Sequence, residues 1–328
     1  MASVIVLGVS GCDNVEWGGV DYNLRPPPPV AVAATSDSAG AEAEIAAPEM
    51  PPLPEGPVLF MGSRSGSRVS LRPIAEISGD SLIPFVSESI APGYAEYYAR
   101  NRMGPGTAFT LFAEGARVGT VRADTLFFEP GFCSASPILE GTAELVAGAG
   151  NASRFIALPD EATAGVPYAT YRNPDHTYEQ RVASINLATA AIARTGAVWP
   201  QSVLETRVDI QGVPLDGDTD GAVAATFLYR DALSVGPSAA ASAYSIFVIG
   251  EGGPVDYTSA FTWYRRTSVD GKGAPRLWEQ ADWDGDGEAE ILLQVFGEDA
   301  RWSAALDRRD GVWTRIYEGS CRTGSGTP

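Results

Sequence analysis

The chain has 328 residues, of which 45% are hydrophobic and 20% charged, so its composition is that of a globular protein and excludes wholesale disorder. Acidic residues outnumber basic ones 41 to 23, and the net charge of -18 excludes the basic surface that nucleic-acid binding requires. One histidine and one lysine exclude a multi-histidine metal site and most lysine-based chemistry.

Residues 1–12 combine a short apolar stretch with the sequence Val9-Ser10-Gly11-Cys12. An aliphatic residue and two small ones before a cysteine resemble the lipobox of bacterial lipoproteins. The resemblance implies a lipid on Cys12 and attachment to a membrane of the cell envelope, in the periplasm or at the outer surface. Because a secretory signal begins with positive charge and no Lys or Arg precedes Cys12, we interpret 1–12 as a truncated signal. The alternative is a buried first strand.

Residues 13–56 are predicted to form a tether. This segment holds eight prolines, four of them consecutive at 26–29, and eight acidic residues against one basic residue. Such a chain buries too little apolar surface to offset the entropy of ordering it, and consecutive prolines favour an extended polyproline conformation. An acidic spacer after a lipidated cysteine fits the layout of an exported lipoprotein.

Two cysteines, Cys133 and Cys321, remain if Cys12 carries the lipid. A pair of cysteines in an oxidising compartment indicates a disulfide. The alternative is two buried free thiols, which are common in protein cores.

Residues 57–160 are predicted to form a small, mainly β domain with one short helix. The predicted strands are 58–61, 68–77, 108–113, 117–121, 125–129 and 143–147, and the helix spans 92–103. Glu114-Gly115-Ala116 between two of these strands is a hairpin signal. Three tyrosines at helical spacing in 92–103 are more typical of a core than of a sugar-stacking surface.

Residues 161–328 are predicted to form a second domain, with one helix followed by strands. Thr177 and Gln180 have the spacing of a capping box, and Gly196 is a stop signal, so the helix spans 178–195. Its predicted apolar face contains Val182, Ile185, Ala188 and Ile192. The predicted strands are 203–211, 222–230, 243–250, 257–266, 276–281, 288–296, 301–307 and 312–318, and the fold class is therefore mainly β with antiparallel sheets.

An acidic loop, 282–290, lies between two of these strands and has the pattern D-x-D-x-D-G-x-x-E. Alternating carboxylates of this kind surround a hard cation, and Ca²⁺ takes six to eight oxygen ligands in flexible geometry. The loop lacks the acid at position 12 of an EF-hand, where this chain has Leu293. The predicted calcium-site residues are Asp282, Asp284, Asp286, Glu288 (through its backbone carbonyl) and Glu290.

A second acidic loop precedes it in the chain and contains Asp216, Asp218 and Asp220 followed by a glycine. The acid that would close the shell is missing, because Ala224 stands at the ninth position. We predict this loop as a weaker metal site, with Asp209 as a substitute ligand.

The two loops resemble the FG-GAP repeat of integrin α-subunits and of many exported bacterial proteins. In that family the acidic loop joins two strands of a propeller blade, and its calcium ion stiffens the loop without taking part in a reaction. The resemblance covers about 203–320 and implies propeller-blade-like strand-loop-strand units, with a role in binding or adhesion. Fewer loops are present than a full propeller needs.

The leading functional hypothesis is a lipid-anchored, calcium-stabilised protein without enzymatic activity that binds a protein or glycan, or serves envelope assembly. A carbohydrate-binding module is the second hypothesis, with Tyr257, Trp263, Tyr264 and Trp278 as candidate ligand aromatics. A glycan hydrolase is the third, since 41 acids offer many carboxylate pairs, although no spacing indicates a particular pair.

Overall fold

The first sheet of this computed structural model closes on itself. The structure describes residues 50–85, 91, 93–129, 136–164, 169–171, 176–215, 218–252 and 257–319. The strands of the first sheet are β1 (Val58–Ser65), β2 (Arg68–Ser78), β3 (Ser81–Pro84), β4 (Ala108–Ala113), β5 (Ala116–Glu129), β6 (Ser136–Leu145), β7 (Arg154–Pro159) and β8 (Ala169–Thr170). Pairing runs β1-β7-β4-β5-β6-β2 and returns from β2 to β1. The six strands of this circuit pair antiparallel and form a ring, while β3 pairs with β2 and β8 pairs in parallel with β5. We call this sheet the closed sheet.

The inside of the closed sheet is an apolar core. Strand alternation points Phe60, Leu71 and Phe155 inward, and helix α1 (Tyr94–Arg102) adds Tyr94 and Tyr98 to the same core. The predicted helix and the interpretation of its tyrosines as core residues agree with this arrangement. The tyrosine hydroxyl of Tyr94 donates to the backbone carbonyl of Pro52, so residues at the end of the predicted tether lie against the body.

The predicted hairpin between β4 and β5 is present. Glu114 and Gly115 have φ angles of +53° and +72°, the left-handed conformations that a two-residue turn between antiparallel strands requires. The separately predicted strand 125–129 is the end of β5, which continues through a register shift between Ala123 and Thr125.

Two further sheets are four-stranded antiparallel meanders. The second sheet contains β9 (Arg207–Leu215), β10 (Asp218–Tyr229), β11 (Tyr244–Glu251) and β12 (Thr258–Arg266). The third contains β13 (Ala274–Ala281), β14 (Glu290–Phe296), β15 (Arg301–Arg309) and β16 (Val312–Glu318). The mainly β, antiparallel fold class is thereby confirmed. The predicted strand at 203–211 was wrong at its start, since Val203–Thr206 is a helical turn, α3, with Ser202 as its N-cap.

The third sheet lies between the closed sheet and the second sheet. Leu292 of β14 packs against the outer face of the closed sheet, while Ile291 and Leu293 pack against the second sheet. Every residue of β14 is buried as a result. This explains why the strand is an almost continuous apolar run and does not alternate with polar residues.

The longest helix, α2 (Tyr178–Thr195), covers the other face of the second sheet. Its predicted capping box is present: the Thr177 hydroxyl accepts from the Gln180 N–H, and the Gln180 side chain accepts from the Thr177 N–H. The predicted apolar face was wrong in part, because Val182 is 39% exposed. The buried face instead runs through Ala183, Leu187, Ala188, Ala191 and Ile192, whose small members let the helix approach the sheet closely.

Candidate metal centre

The acidic loop 282–290 connects β13 to β14 in the third sheet. Glu290 is the first residue of β14 and is buried. Trp283 is also buried and packs in the core between the closed and third sheets. The loop is therefore held to the body at its start and at its end.

Backbone N–H groups shape this loop around its own carboxylates. Asp282 accepts from the N–H groups of Gly285 at 2.7 Å and of Gly287 at 3.1 Å. Gly285 and Gly287 have φ angles of +85° and +96°, which residues with a side chain rarely adopt. The pattern of glycine after aspartate is thus required by the bend of the loop.

Four carboxylates meet inside the bend. One oxygen from each of Asp282, Asp284, Asp286 and Glu290 lies within 4.8 Å of the corresponding oxygens of the other three. Ligands on opposite sides of a Ca²⁺ ion, at 2.3–2.6 Å from it, are about 5 Å apart. The four oxygens are therefore close enough together for one ion to contact all of them.

Glu290 is the most unusual member of the group. Its Oε2 accepts from the Trp283 N–H at 2.9 Å, whereas Oε1 is buried and has no hydrogen-bond partner among the described residues. Burial, followed by the charges of Asp284, Asp282 and Asp286, raises the pKa of Glu290 to about 9. A buried carboxylate oxygen without a partner is costly, and a bound cation would satisfy it.

Burial also raises the pKa values of the neighbouring Asp282 and Asp284. Burial raises the pKa of Asp284 to about 6, with further increases from Asp286, Asp282 and Asp307. Burial also raises the pKa of Asp282, against the lowering effect of its two backbone donors. Without a cation the loop favours protonated carboxyls, so metal binding competes with protons here.

The structure groups four of the five predicted calcium-site residues. The Glu288 carboxylate is outside this group, and its predicted role concerns its backbone carbonyl. The sequence did not indicate Asp307, a buried acid near Asp284 whose carboxylate bonds Arg309 at 2.6 Å. The sequence signal that could have indicated it is its position directly after the apolar residues 304–306 of β15.

Several other predicted site residues lie outside the part of the chain that the structure describes. Asp216, Cys12, Cys133 and Cys321 lie outside them, as do the side chains of Asp218 and Asp220, whose backbone belongs to β10. Asp209 is described on β9, where burial raises its pKa and the charges of Arg154 and Arg276 oppose that rise.

The four candidate ligand aromatics do not form one surface, although Trp263 and Tyr264 line one shallow pocket. Trp278 packs between the closed and third sheets and donates from Nε1 to the Phe155 carbonyl. Trp263 packs between the second and third sheets. Tyr257 and Tyr264 border the core beneath α2.

A carboxyl pair, which the sequence did not indicate, joins the closed sheet to the third sheet through buried Glu279 and half-buried Glu114. Glu279 of β13 is 3% exposed and accepts from the Glu114 N–H at 2.8 Å. Burial raises the pKa of Glu279 well above its usual range, and the Glu114 charge raises it further. Burial also raises the pKa of Glu114 to about 7.

Because of this pair, we expect the free energy of unfolding to fall as pH rises. The folded state keeps protons that the unfolded chain loses above about pH 4.3. The free energy of unfolding therefore decreases as pH rises from that value to the raised pKa values of the folded state. In saturating calcium, Glu279→Gln should be more stable than the wild type at pH 8 by on the order of 1 kcal/mol, and similar at pH 5. Urea unfolding at both pH values checks this, with exposed Glu144→Gln as the control. An unchanged pH dependence in Glu279→Gln would contradict it.

Comparison of the chain with protein-family models, curated proteins and solved structures finds no match. The functional assignment therefore depends on the chain's own residues. Among the described residues, no helix combines the length and hydropathy needed to span a membrane.

Proposed function

We propose that this chain is a lipid-anchored exported protein of the bacterial cell envelope, whose β-rich body is stabilised by Ca²⁺ and serves binding, adhesion or envelope assembly. The observation that carries the proposal is the convergence of four carboxylates on one point. Among them is a buried oxygen of Glu290 that has no hydrogen-bond partner in the part of the chain that the structure describes. A stabilising cation gives that oxygen a partner.

The choice of calcium follows from the donor set. The group consists of carboxylates, and oxygen ligands favour hard cations over zinc or copper. Several carboxylates crowded in a flexible loop suit the high coordination number of Ca²⁺, whereas Mg²⁺ keeps most of its water in octahedral geometry. The Glu288 carbonyl and water complete the proposed shell.

The fold supports the FG-GAP-like part of the proposal. The acidic loop joins adjacent antiparallel strands of a four-stranded meander, which is the blade topology of propellers. The ion is proposed to hold β13 and β14 together at the end where the acidic loop connects them. Its role is structural, and the proposal assigns no enzymatic activity.

The proposed partners are a membrane, reached through the lipid on Cys12, and a protein or glycan ligand. Nucleic acid is not a proposed partner, since a net charge of -18 repels phosphate. The acidic, proline-rich segment would keep the body clear of the membrane surface.

Labelling with fatty acid tests the anchor. In a bacterial host, with a functional lipoprotein signal sequence fused before Cys12, the protein should incorporate label and fractionate with membranes. Cys12→Ala should abolish both, because the thiol accepts the lipid, whereas the control Cys133→Ala should retain both. Equal labelling of Cys12→Ala and the wild type would contradict lipidation at Cys12.

A further inference from the structure

A cleft of about 230 Å³ opens between the outer face of the closed sheet and the third sheet. It is separate from the acidic loop, whose residues do not line it. Both walls change from apolar to polar along the strands that build them. The two sheets pack together along the apolar part of both walls and separate along the polar part.

On the closed sheet, β1 and β2 form one wall. The outward pair Leu59 and Ala75 is buried against the third sheet. Further along, Met61 pairs with Arg72, and Ser63 pairs with Ser70. Met61, Arg72 and both serines line the cleft.

On the third sheet, β14 and β15 form the facing wall. Leu292 pairs with Ala305, and both are buried against the closed sheet. The next pair facing the same way is Gln294 and Ser303, which line the cleft. The Gln294 amide nitrogen lies 3.9 Å from the sulfur of Met61, so the walls still touch at this level. Beyond it the polar ends face each other across open space.

The cleft is cationic although the protein is strongly acidic. Arg72 and Arg301 line it, and its described lining contains no Asp or Glu, in a chain with 41 acids. Glu129 makes an ion pair with Arg72 from outside the lining. Burial and the charge of Arg72 lower the pKa of Arg301, whereas the charge of Glu129 raises it. Two guanidinium groups therefore stand against the one carboxylate of Glu129, which leaves a net positive charge. This arrangement disfavours a metal ion and favours an anion.

The closed end of the cleft is aromatic. Trp278 and Tyr317 line it but are only 7% and 9% exposed, so they present edges and not a flat stacking surface. The volume is below the roughly 300–1,000 Å³ of sites for drug-sized ligands. A ligand with a single ring fits these limits better than a long polysaccharide laid on a platform.

We propose that this cleft binds a carboxylate-bearing sugar ring of the uronic acid type. Arg72 and Arg301 would hold the carboxylate, as planar guanidinium groups match it with paired hydrogen bonds. Ser63, Ser303 and Gln294 would bond the sugar hydroxyls, and the aromatic end would contact the apolar face of the ring. This site rests on the proposed binding role and narrows its ligand to an acidic sugar, but it does not depend on the calcium loop, so the two sites can be tested separately.

Calorimetric titration of the full chain, in calcium-free buffer, with galacturonate, galactose and inorganic phosphate tests the proposal. Galacturonate should bind, and galactose and phosphate should each bind at least about tenfold more weakly. Galactose lacks the carboxylate that the arginines would hold, and phosphate lacks the sugar ring. Arg301→Gln should weaken galacturonate binding about tenfold or more. Ser63→Trp, which fills the cleft from an exposed position, should abolish binding without changing the melting temperature.

Arg117→Gln is the matched control, because Arg117 is exposed on β5 and does not line the cleft. It should bind galacturonate like the wild type. The proposal is overturned if galacturonate does not bind at about 10 mM, a concentration at which even weak millimolar sites are filled. It is also overturned if galactose or phosphate binds equally well, or if Ser63→Trp folds and binds unchanged.

Discussion

Calcium added to the chelated protein is expected to raise its melting temperature by roughly 5 °C once the ion is at a hundred times its dissociation constant. The ion would neutralise Asp282, Asp284, Asp286 and Glu290, whose oxygens converge within 4.8 Å. It would bind the folded loop better than the unfolded chain, and such differential binding stabilises the folded state. Differential scanning calorimetry with and without calcium measures the shift.

Two substitutions separate the metal from general charge effects. Asp284→Ala should remove most of the calcium-dependent rise, because it removes one of the four converging carboxylates. Glu290→Gln should melt higher than the wild type without calcium, since it removes a buried acid, and should respond weakly to calcium. Asp299→Ala, an exposed acid outside the group, should respond like the wild type. An undiminished calcium response in Asp284→Ala would show that the stabilising ion binds elsewhere.

The second large effect is expected in the middle of the third sheet. Leu292→Ala and Leu293→Ala should each destabilise the protein by about 2–5 kcal/mol, the usual cost of truncating a buried leucine. Both side chains are 0% exposed, but Leu292 faces the closed sheet and Leu293 faces the second sheet. Urea unfolding, followed by tryptophan fluorescence, measures the two losses.

Val312→Ala is the control, because Val312 is 61% exposed on β16, and exposed substitutions usually change stability by less than about 0.5 kcal/mol. Similar losses for the two leucines would support a third sheet with both faces covered. A near-neutral result for either one would contradict the stacking of the three sheets.

Local signals predicted much of the fold. The capping box at Thr177 and Gln180 acts within one turn of helix, and the turn at Glu114 and Gly115 acts within one hairpin. Such features depend on neighbouring residues, so the sequence displays them directly. The paired strands of the C-terminal half were likewise visible as short apolar runs separated by turn residues.

Long-range features were not predictable in this way. Closure of the first sheet depends on β1 pairing with β7, which is about 95 residues away in the chain, and β7 itself was not predicted. The buried face of α2 could not be chosen from periodicity alone, since Val182 and Ala183 are adjacent and apolar. The choice is made by packing against the second sheet.

The acidic loop and the cleft differ in how far apart in the chain their residues lie. The acidic loop takes all four converging carboxylates from nine consecutive residues, so its spacing in the sequence predicted the cluster. Arg72 and Arg301 are distant in the chain and line the same cleft because the closed sheet packs on the third sheet. Glu114 and Glu279 meet for the same reason. Sites built from several elements require the tertiary structure before they can be recognised.

The most direct test of the central claim is calorimetric titration of Ca²⁺ into the full chain after chelation. We expect saturable binding that is strongly weakened in Asp284→Ala and in Glu290→Gln. We also expect proton release on binding, because burial and neighbouring charges raise the pKa of Glu290 to about 9. Titration in buffers of different ionisation enthalpy measures that release. Absence of calcium binding in the millimolar range, or binding unaffected by both substitutions, would contradict the assignment of 282–290 as the metal site.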